Sequence, residues 1–391
     1  MRKITVDERR ARLGRRHHLA EEAKSESVAA AAGRMVGFHA SDPASVFLAA
    51  RARVPDVTVG VIEKALYEER SLLRIMGMRR TVFTAPLDLA RLIQAGAASR
   101  LIAGERARAA SLLAEGGISD EPLKALREME QATLAALADS GPAFAQELTR
   151  KVPGLAGQIS FGEGKKWAGT IGVSTRILFL LALEGHIARG RPRGRWTSSQ
   201  HIWAPIDEWF SGGFADLDPS EARREIIRRW LFTFGPAQLE DIRWWTGWNL
   251  SEIRPALAEL QVAEVDLDGR PGLLLPDDVD PVTAPKPWVA FLPSLDSTPM
   301  GWKERDWYLG SHREALFDRN GNIGPSIWHS GRIVGGWGQN QERKVVYRVL
   351  EAVPAKVTGA IDQEAAKVQE WIGETKVTPR FRTPLEAELA R

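Results

Sequence analysis

Four arginines alternate with Gly and Pro through Arg189, Arg191, Arg193 and Arg195. Residues two apart share one face of a strand, so this run predicts a hairpin tip that projects up to four guanidinium groups together. Such a tip suits clamping of phosphates or entry into a narrow minor groove; a solubilising loop is the competing reading. Arg79-Arg80-Thr81 carries a smaller version of the same signal. Trp244 and Trp245 are adjacent on a predicted helix, so only one of them can face a core fully. For the other, base stacking and ordinary aromatic packing both stay open. The seven His residues form no i,i+4 pair beside a carboxylate base, and there is no Cys, so no metal motif is read and no metal or organic cofactor is expected. Gly157 and Gly162 have the outer spacing of a phosphate loop, but Glu163 stands where that loop requires Lys.

The elements that must carry these residues recur three times. In the last copy, Glu221 to Phe234 has a charged outer face and an apolar stripe of Ile226, Ile227, Trp230 and Leu231. Gly235-Pro236 stops it and opens a second helix to about Thr246. Asn249 and Glu252 form an N-cap pair for a third helix, to about Leu260. Two strand-like segments, Val262–Val265 and Leu273–Leu275, flank an Asp268-Gly269 turn. Helices followed by a hairpin are the order of a winged helix-turn-helix. The middle copy has helices at Leu123–Ala138, from Gly141-Pro142 to Val152 and at Val173–Glu184, with a hairpin over His186–Trp203. An irregular Gly-rich stretch, 153–169, interrupts it. The first copy has helices near 7–16, 27–36, 43–52 and 58–70, then strands at Leu72–Ile75 and Arg80–Thr84.

From Pro285 the pattern turns β-rich, with strands expected at Val289–Leu292, Ile323–Trp328 and Arg332–Trp337, then a helix at Ile361–Ile372. The expected fold is therefore α+β: winged-helix modules at 1–118, 119–215 and 216–284, then a β-barrel-like domain at 285–391. A chain of 391 residues is long enough for several cores. The 53 Lys+Arg against 50 Asp+Glu leave a net charge of only +3, so DNA binding must come from clustered charge. The basic N-terminal twenty residues lack an apolar stretch and are not read as a secretory signal. No run is apolar enough to span a membrane, and absence of Cys suits a reducing cytoplasm. A cytoplasmic, nucleoid-associated monomer acting on double-stranded DNA is expected.

Four stretches carry a resemblance: Gly37–Val54 (GFHASDPASVFLAARARV), Gly77–Thr81 (GMRRT), Leu292–Arg305 (LPSLDSTPMGWKER) and Gly331–Trp337 (GRIVGGW). With them the chain resembles the winged-helix alkylpurine DNA glycosylases that include the azinomycin-resistance and interstrand-crosslink-unhooking enzymes, and within them an actinobacterial-type branch. The resemblance covers nearly the whole chain. It implies three tandem winged helices with a β-barrel, and hydrolysis of the N-glycosidic bond of N7-alkylated or bulky purines. Characterised members carry a Gln, an apolar residue and a Gln or Asp at the catalytic position. Here that position reads His39-Ala40-Ser41, so only the middle residue agrees in type. The resemblance thus makes His39 the water-positioning or general-base residue, with Ser41 assisting. A neutral imidazole holds water near pH 7. Asp42 adds a carboxylate, although Asp before Pro is also an N-cap signature. The alternative is a non-catalytic DNA-binding protein, either a regulator or a lesion-shielding resistance factor.

Overall fold

The computed structural model describes residues 1–162, 164 and 168–391. Glu163 and part of the Gly-rich stretch therefore lie outside the described residues. The chain is a mixed α/β protein organised around short sheets.

Three units share one element order. In the first, helix Val28–Arg34 leads to strand Phe38–His39, helix Pro43–Arg51, helical turns over 59–68 and a hairpin of Leu72–Met76 with Val82–Pro86. The first, third and second strands lie side by side: Phe38 pairs with Thr84, and Thr84 with Arg74. The second unit repeats this with helix Pro122–Ser140, strand Ala143–Phe144, helices Ala145–Lys151 and Val173–Leu183, and hairpin Ile187–Pro192 with His201–Pro205. The third has helices Pro219–Phe234, Leu239–Thr246 and Leu250–Glu259 and hairpin Ala263–Asp266 with Pro271–Leu274. Its first strand is reduced to one bridge, Ala237 to Leu273. The N-terminal strand Arg2–Lys3 pairs in parallel with Val265 and Asp266 of this unit. Helix Val6–Arg16 follows it, and its Arg12 bonds Asp278 at 3.0 Å.

Local chemistry explains most boundaries. The Glu252 carboxylate accepts the Asn249 amide N–H at 2.8 Å, closing the expected cap. Asp268 (φ 52°) and Gly269 (φ 85°) are both left-handed, as a two-residue hairpin turn requires. Other expectations differ. After Gly141-Pro142 the chain first forms the strand Ala143–Phe144, and the helix starts at Ala145, where the Glu147 carboxylate accepts the Phe144 N–H at 2.8 Å. Pro236 likewise does not open its helix: Ala237 pairs with Leu273 before Leu239 begins it. Part of the Gly-rich stretch is an antiparallel ribbon, Gln158–Phe161 with Gly169–Gly172, in which Ile159 is buried opposite Ile171.

The C-terminal region is not a closed barrel. Val289–Leu292, Ser326–His329, Arg332–Gln339 and Val345–Val349 form an open four-stranded antiparallel sheet in chain order. Helix Ala355–Ile372 packs against both outer strands and buries Ile361, Val368 and Ile372 there. One core runs from the first unit through the third into this sheet, while the second unit has its own. Trp230, Trp248 and Trp328 are fully buried in the larger core. Among the described residues no helix is long and apolar enough to cross a membrane.

Candidate active site

His39 lies on the short strand Phe38–His39, opposite Phe83. Gly37 precedes it at φ 95°, where an added Cβ would also stand 3.2 Å from the Phe83 side chain; only glycine suits both. Ser297 arrives from the C-terminal region. Its hydroxyl accepts the His39 amide N–H at 3.2 Å and donates to the Gly37 carbonyl at 2.9 Å. The next residue but one in that loop, Pro299, is followed by Met300, and both Met300 and Ser297 line the small pocket at His39. Arg79, Thr81, Phe83 and Trp245 complete most of its wall. It has space for roughly one water and none for a base.

The imidazole is 9% exposed, and its Nδ1 is buried without a hydrogen-bond partner. Burial, reinforced by the Arg79 guanidinium and partly opposed by the Asp296 carboxylate, pushes its pKa down to about 3. The ring is therefore neutral near pH 7: it orients water well and is a weak proton acceptor in the free protein. Behind this strand, Asp296 and Arg53 form a fully buried two-pronged ion pair at 2.6 and 2.9 Å. Thr298 accepts from Arg53 at 2.9 Å and donates to His17 Nδ1 at 2.9 Å.

Ser41 and Asp42 sit apart from this pocket. Asp42 caps helix Pro43–Arg51, accepting the Ala44 N–H at 3.1 Å, and its second oxygen accepts the Arg380 N–H at 3.1 Å. Burial raises its pKa, against the two backbone hydrogen bonds. It faces a different cavity, with Ser45, Trp337 and Gln339. Ser41 is half-buried, and its carbonyl accepts from the Arg380 guanidinium at 3.2 Å.

Arg79 and Arg80 form a tight turn in which both residues are left-handed (φ 52° and 60°), an uncommon backbone outside glycine. Arg79 stacks on Trp244 with 3.9 Å from guanidinium carbon to ring centre, and Arg305 stacks on the same indole at 4.7 Å. Burial and the neighbouring Arg305 lower the Arg79 pKa to about 10, so it stays cationic. Arg80 instead pairs with Glu105 at 2.9 Å. Thr81 lines the His39 pocket. Trp245 points inward and is 6% exposed, while Trp244 is half-buried beneath the two arginines.

The hairpin arginines do not share one face. The register shifts between Arg189 and Pro192, which breaks the alternation that the sequence suggests. Arg189 stacks on Trp203 at 4.6 Å, and Arg193 on Phe144 at 4.2 Å. Arg191 turns to the first unit, where Glu63 and Glu68 hold it at 2.7 and 2.9 Å. Arg195 is exposed beside the Glu374 carbonyl, 3.5 Å away.

Ser297 and Arg305 are the site residues that local sequence reasoning passes over. They lie more than two hundred residues from His39 and carry no periodic or turn signal. Their one trace is that both fall inside the stretch Leu292–Arg305. Among the described residues no group of three or more His, Cys, Asp or Glu is placed to hold a metal ion.

Comparison with known proteins adds to this geometry. The family model described as DNA glycosylase AlkZ-like matches residues 32–371. The interstrand DNA cross-link repair glycosylase of Streptomyces sahachiroi is 27% identical over 217 residues, or 52% of this chain and 57% of that protein. The match thus spans little more than half of that relative's length. Among solved structures, the Streptomyces sahachiroi DNA glycosylase AlkZ superposes with a TM-score of 0.72 at 20% identity, covering 97% of this chain and 100% of that one. At that identity the likeness concerns the fold.

Proposed function

The chain belongs to the AlkZ-like DNA glycosylase family, whose model spans residues 32–371, and from that membership we propose that it is a monofunctional glycosylase for N7-alkylated or bulky purines in duplex DNA. We read its three repeated units as tandem winged helices that present one lesion to the strand carrying His39. The shared strand order, first beside third beside second, supports this.

The observation that carries the reading is that His39, whose Nδ1 is buried without a hydrogen-bond partner, lines a space the size of one water. In the reaction the bond from C1′ to the purine breaks, and its electron pair passes to N9, cancelling the positive charge of the alkylated ring. The sugar becomes an oxocarbenium ion. Water held by His39 Nδ1 bonds to C1′, and its proton leaves through the imidazole to solvent. A leaving group that departs uncharged needs no strong general acid, and an oxocarbenium carbon captures water readily, so a weakly basic imidazole suffices to take the proton.

Arg79 opposes positive charge on the sugar unless an anion neutralises it. A DNA phosphate seated on Arg79 and Arg305 does so and positions the strand. Arg80, already paired with Glu105, and Thr81 frame this contact, and exposed Arg193 and Arg195 add phosphate contacts at the hairpin. Ser41 and Asp42 are assigned to holding the strand and helix rather than to the water. The pocket has no room for a base, so the adduct is cut while still stacked or at the pocket mouth. That avoids the few kcal/mol of extrusion.

The test is release of free base from duplex DNA carrying 7-methylguanine, followed by a bulkier N7 adduct. Release from either supports the assignment. Salt-sensitive binding with no release from both favours non-catalytic lesion binding, the reading that the His-Ala-Ser sequence and the low basicity of His39 otherwise support.

A further inference from the structure

A cleft of about 600 Å³ opens between the hairpin of the second unit and helix Ala145–Lys151. It lies away from His39. Arg74, which backs it, shares a face of the first sheet with Thr84 and Phe38, whereas His39 shares the other with Phe83 and Ile75. Its floor is apolar, with Leu178, Phe179 and Trp203, and its walls hold Arg189 and Arg193.

Both arginines are prepared for an anion. Each guanidinium sits over an aromatic ring, Arg189 over Trp203 and Arg193 over Phe144, and among the described residues neither guanidinium donates a hydrogen bond to a protein acceptor. Behind them Arg74 is 5% exposed, and its Nε and Nη2 are buried with no partner. Its Nη1 lies 2.7 Å from His201 Nε2 and 3.0 Å from Nδ1, and the Gly190 carbonyl is 3.1 Å from Nδ1. Burial and the Arg74 charge push the His201 pKa down to about 3, so the ring is neutral and adds no charge of its own. The charged groups acting on Arg189 are Arg74 and Arg380, both positive. Among the described residues neither Arg74 nor Arg189 has a carboxylate partner, and Arg193 has only Glu147 at 3.9 Å. Buried charge of one sign is costly until it is paired.

We infer that this cleft binds a nucleotide unit lying outside a duplex, its phosphate on Arg189 and Arg193 and its base over the apolar floor beside Gln146 and Gln200. The volume far exceeds a bare phosphate and falls in the ordinary range for a small organic ligand. Free nucleotide and single-stranded DNA offer the same chemistry, and the experiment separates them.

Isothermal titration of the full chain with inorganic phosphate, dGMP and an oligothymidylate tests the inference. The oligonucleotide binds, and dGMP binds more tightly than phosphate if free nucleotides are also accepted. Arg189→Gln and, separately, the exposed Arg193→Gln each raise Kd about tenfold or more, the worth of one charge-assisted hydrogen bond. Arg191→Gln and His39→Ala leave Kd unchanged, with cooperative melting above the titration temperature confirming the fold. Absence of binding by both nucleotide ligands, or phosphate binding as tightly as dGMP and the oligonucleotide, overturns the inference. So does an equal loss in Arg191→Gln. Base release from methylated duplex, measured on the wild type, tests the glycosylase reading separately from nucleotide binding in this cleft.

Discussion

Ser297→Ala tests how the candidate strand is held. Ser297 is 7% exposed, and one hydroxyl serves both the His39 amide at 3.2 Å and the Gly37 carbonyl at 2.9 Å. Alanine leaves a buried donor and a buried acceptor unpaired, each costing about 1–3 kcal/mol. The long amide bond puts that group at the low end, so the expected loss is about 2–4 kcal/mol in total. Such a loss is a large part of the ~5–15 kcal/mol that stabilises a typical domain. Urea unfolding reads it as a lower midpoint at unchanged slope. Freed at Gly37 and His39, the strand misplaces the imidazole, and about 1 Å of error costs up to about a hundredfold in rate. Single-turnover base release per folded molecule should therefore fall about tenfold to a hundredfold, while affinity for duplex DNA holds. Unchanged stability and rate would refute the reasoning. Lost stability at an unchanged rate would refute its link to the chemistry.

Arg53→Met leaves the fully buried Asp296 carboxylate unpaired and should cost about 3–5 kcal/mol by urea unfolding, with most of it recovered in Arg53→Met/Asp296→Leu; equal losses in the two variants contradict this. His39 and His201 have folded pKa values near 3 against an ordinary 6.5, and burial keeps His17 well below 6.5. These depressed values mean the unfolded chain takes up protons that the folded one refuses. Stability is then full above pH ~6.5 and falls toward pH 3 by about 1.4 kcal/mol per unit for each histidine; a melting temperature flat from pH 7 to 5 counts against it. Arg79→Gln should weaken duplex binding and flatten the log Kd against log salt slope by about 0.9. Arg191→Gln should leave that slope unchanged and cost at most about 1 kcal/mol, because its partners are surface carboxylates.

Much of the architecture is legible in the sequence because caps and turns are local. Asn249 with Glu252, Asp268-Gly269 and Pro43 after Asp42 each mark a boundary that the chain observes. The two-residue strands Phe38–His39 and Ala143–Phe144 are too short to show alternation, and the single bridge at Ala237 has none. The strand Val345–Val349 is not among those expected from the sequence. The arginine tip misleads because a register shift is invisible to a period-two argument. In the site, His39 and Arg79 come from motifs, but Ser297 and Arg305 join them only through tertiary packing. Asp42 carries two compatible readings in sequence; the Ala44 and Arg380 hydrogen bonds occupy both of its oxygens.

The most direct test of the account is single-turnover release of 7-methylguanine from duplex DNA by the wild type, His39→Ala and His39→Gln, at matched folded fraction. The account predicts release by the wild type, a fall of about a hundredfold or more in His39→Ala, and retained release in His39→Gln, which still offers a neutral acceptor for the water. Equal release by the wild type and His39→Ala would contradict it.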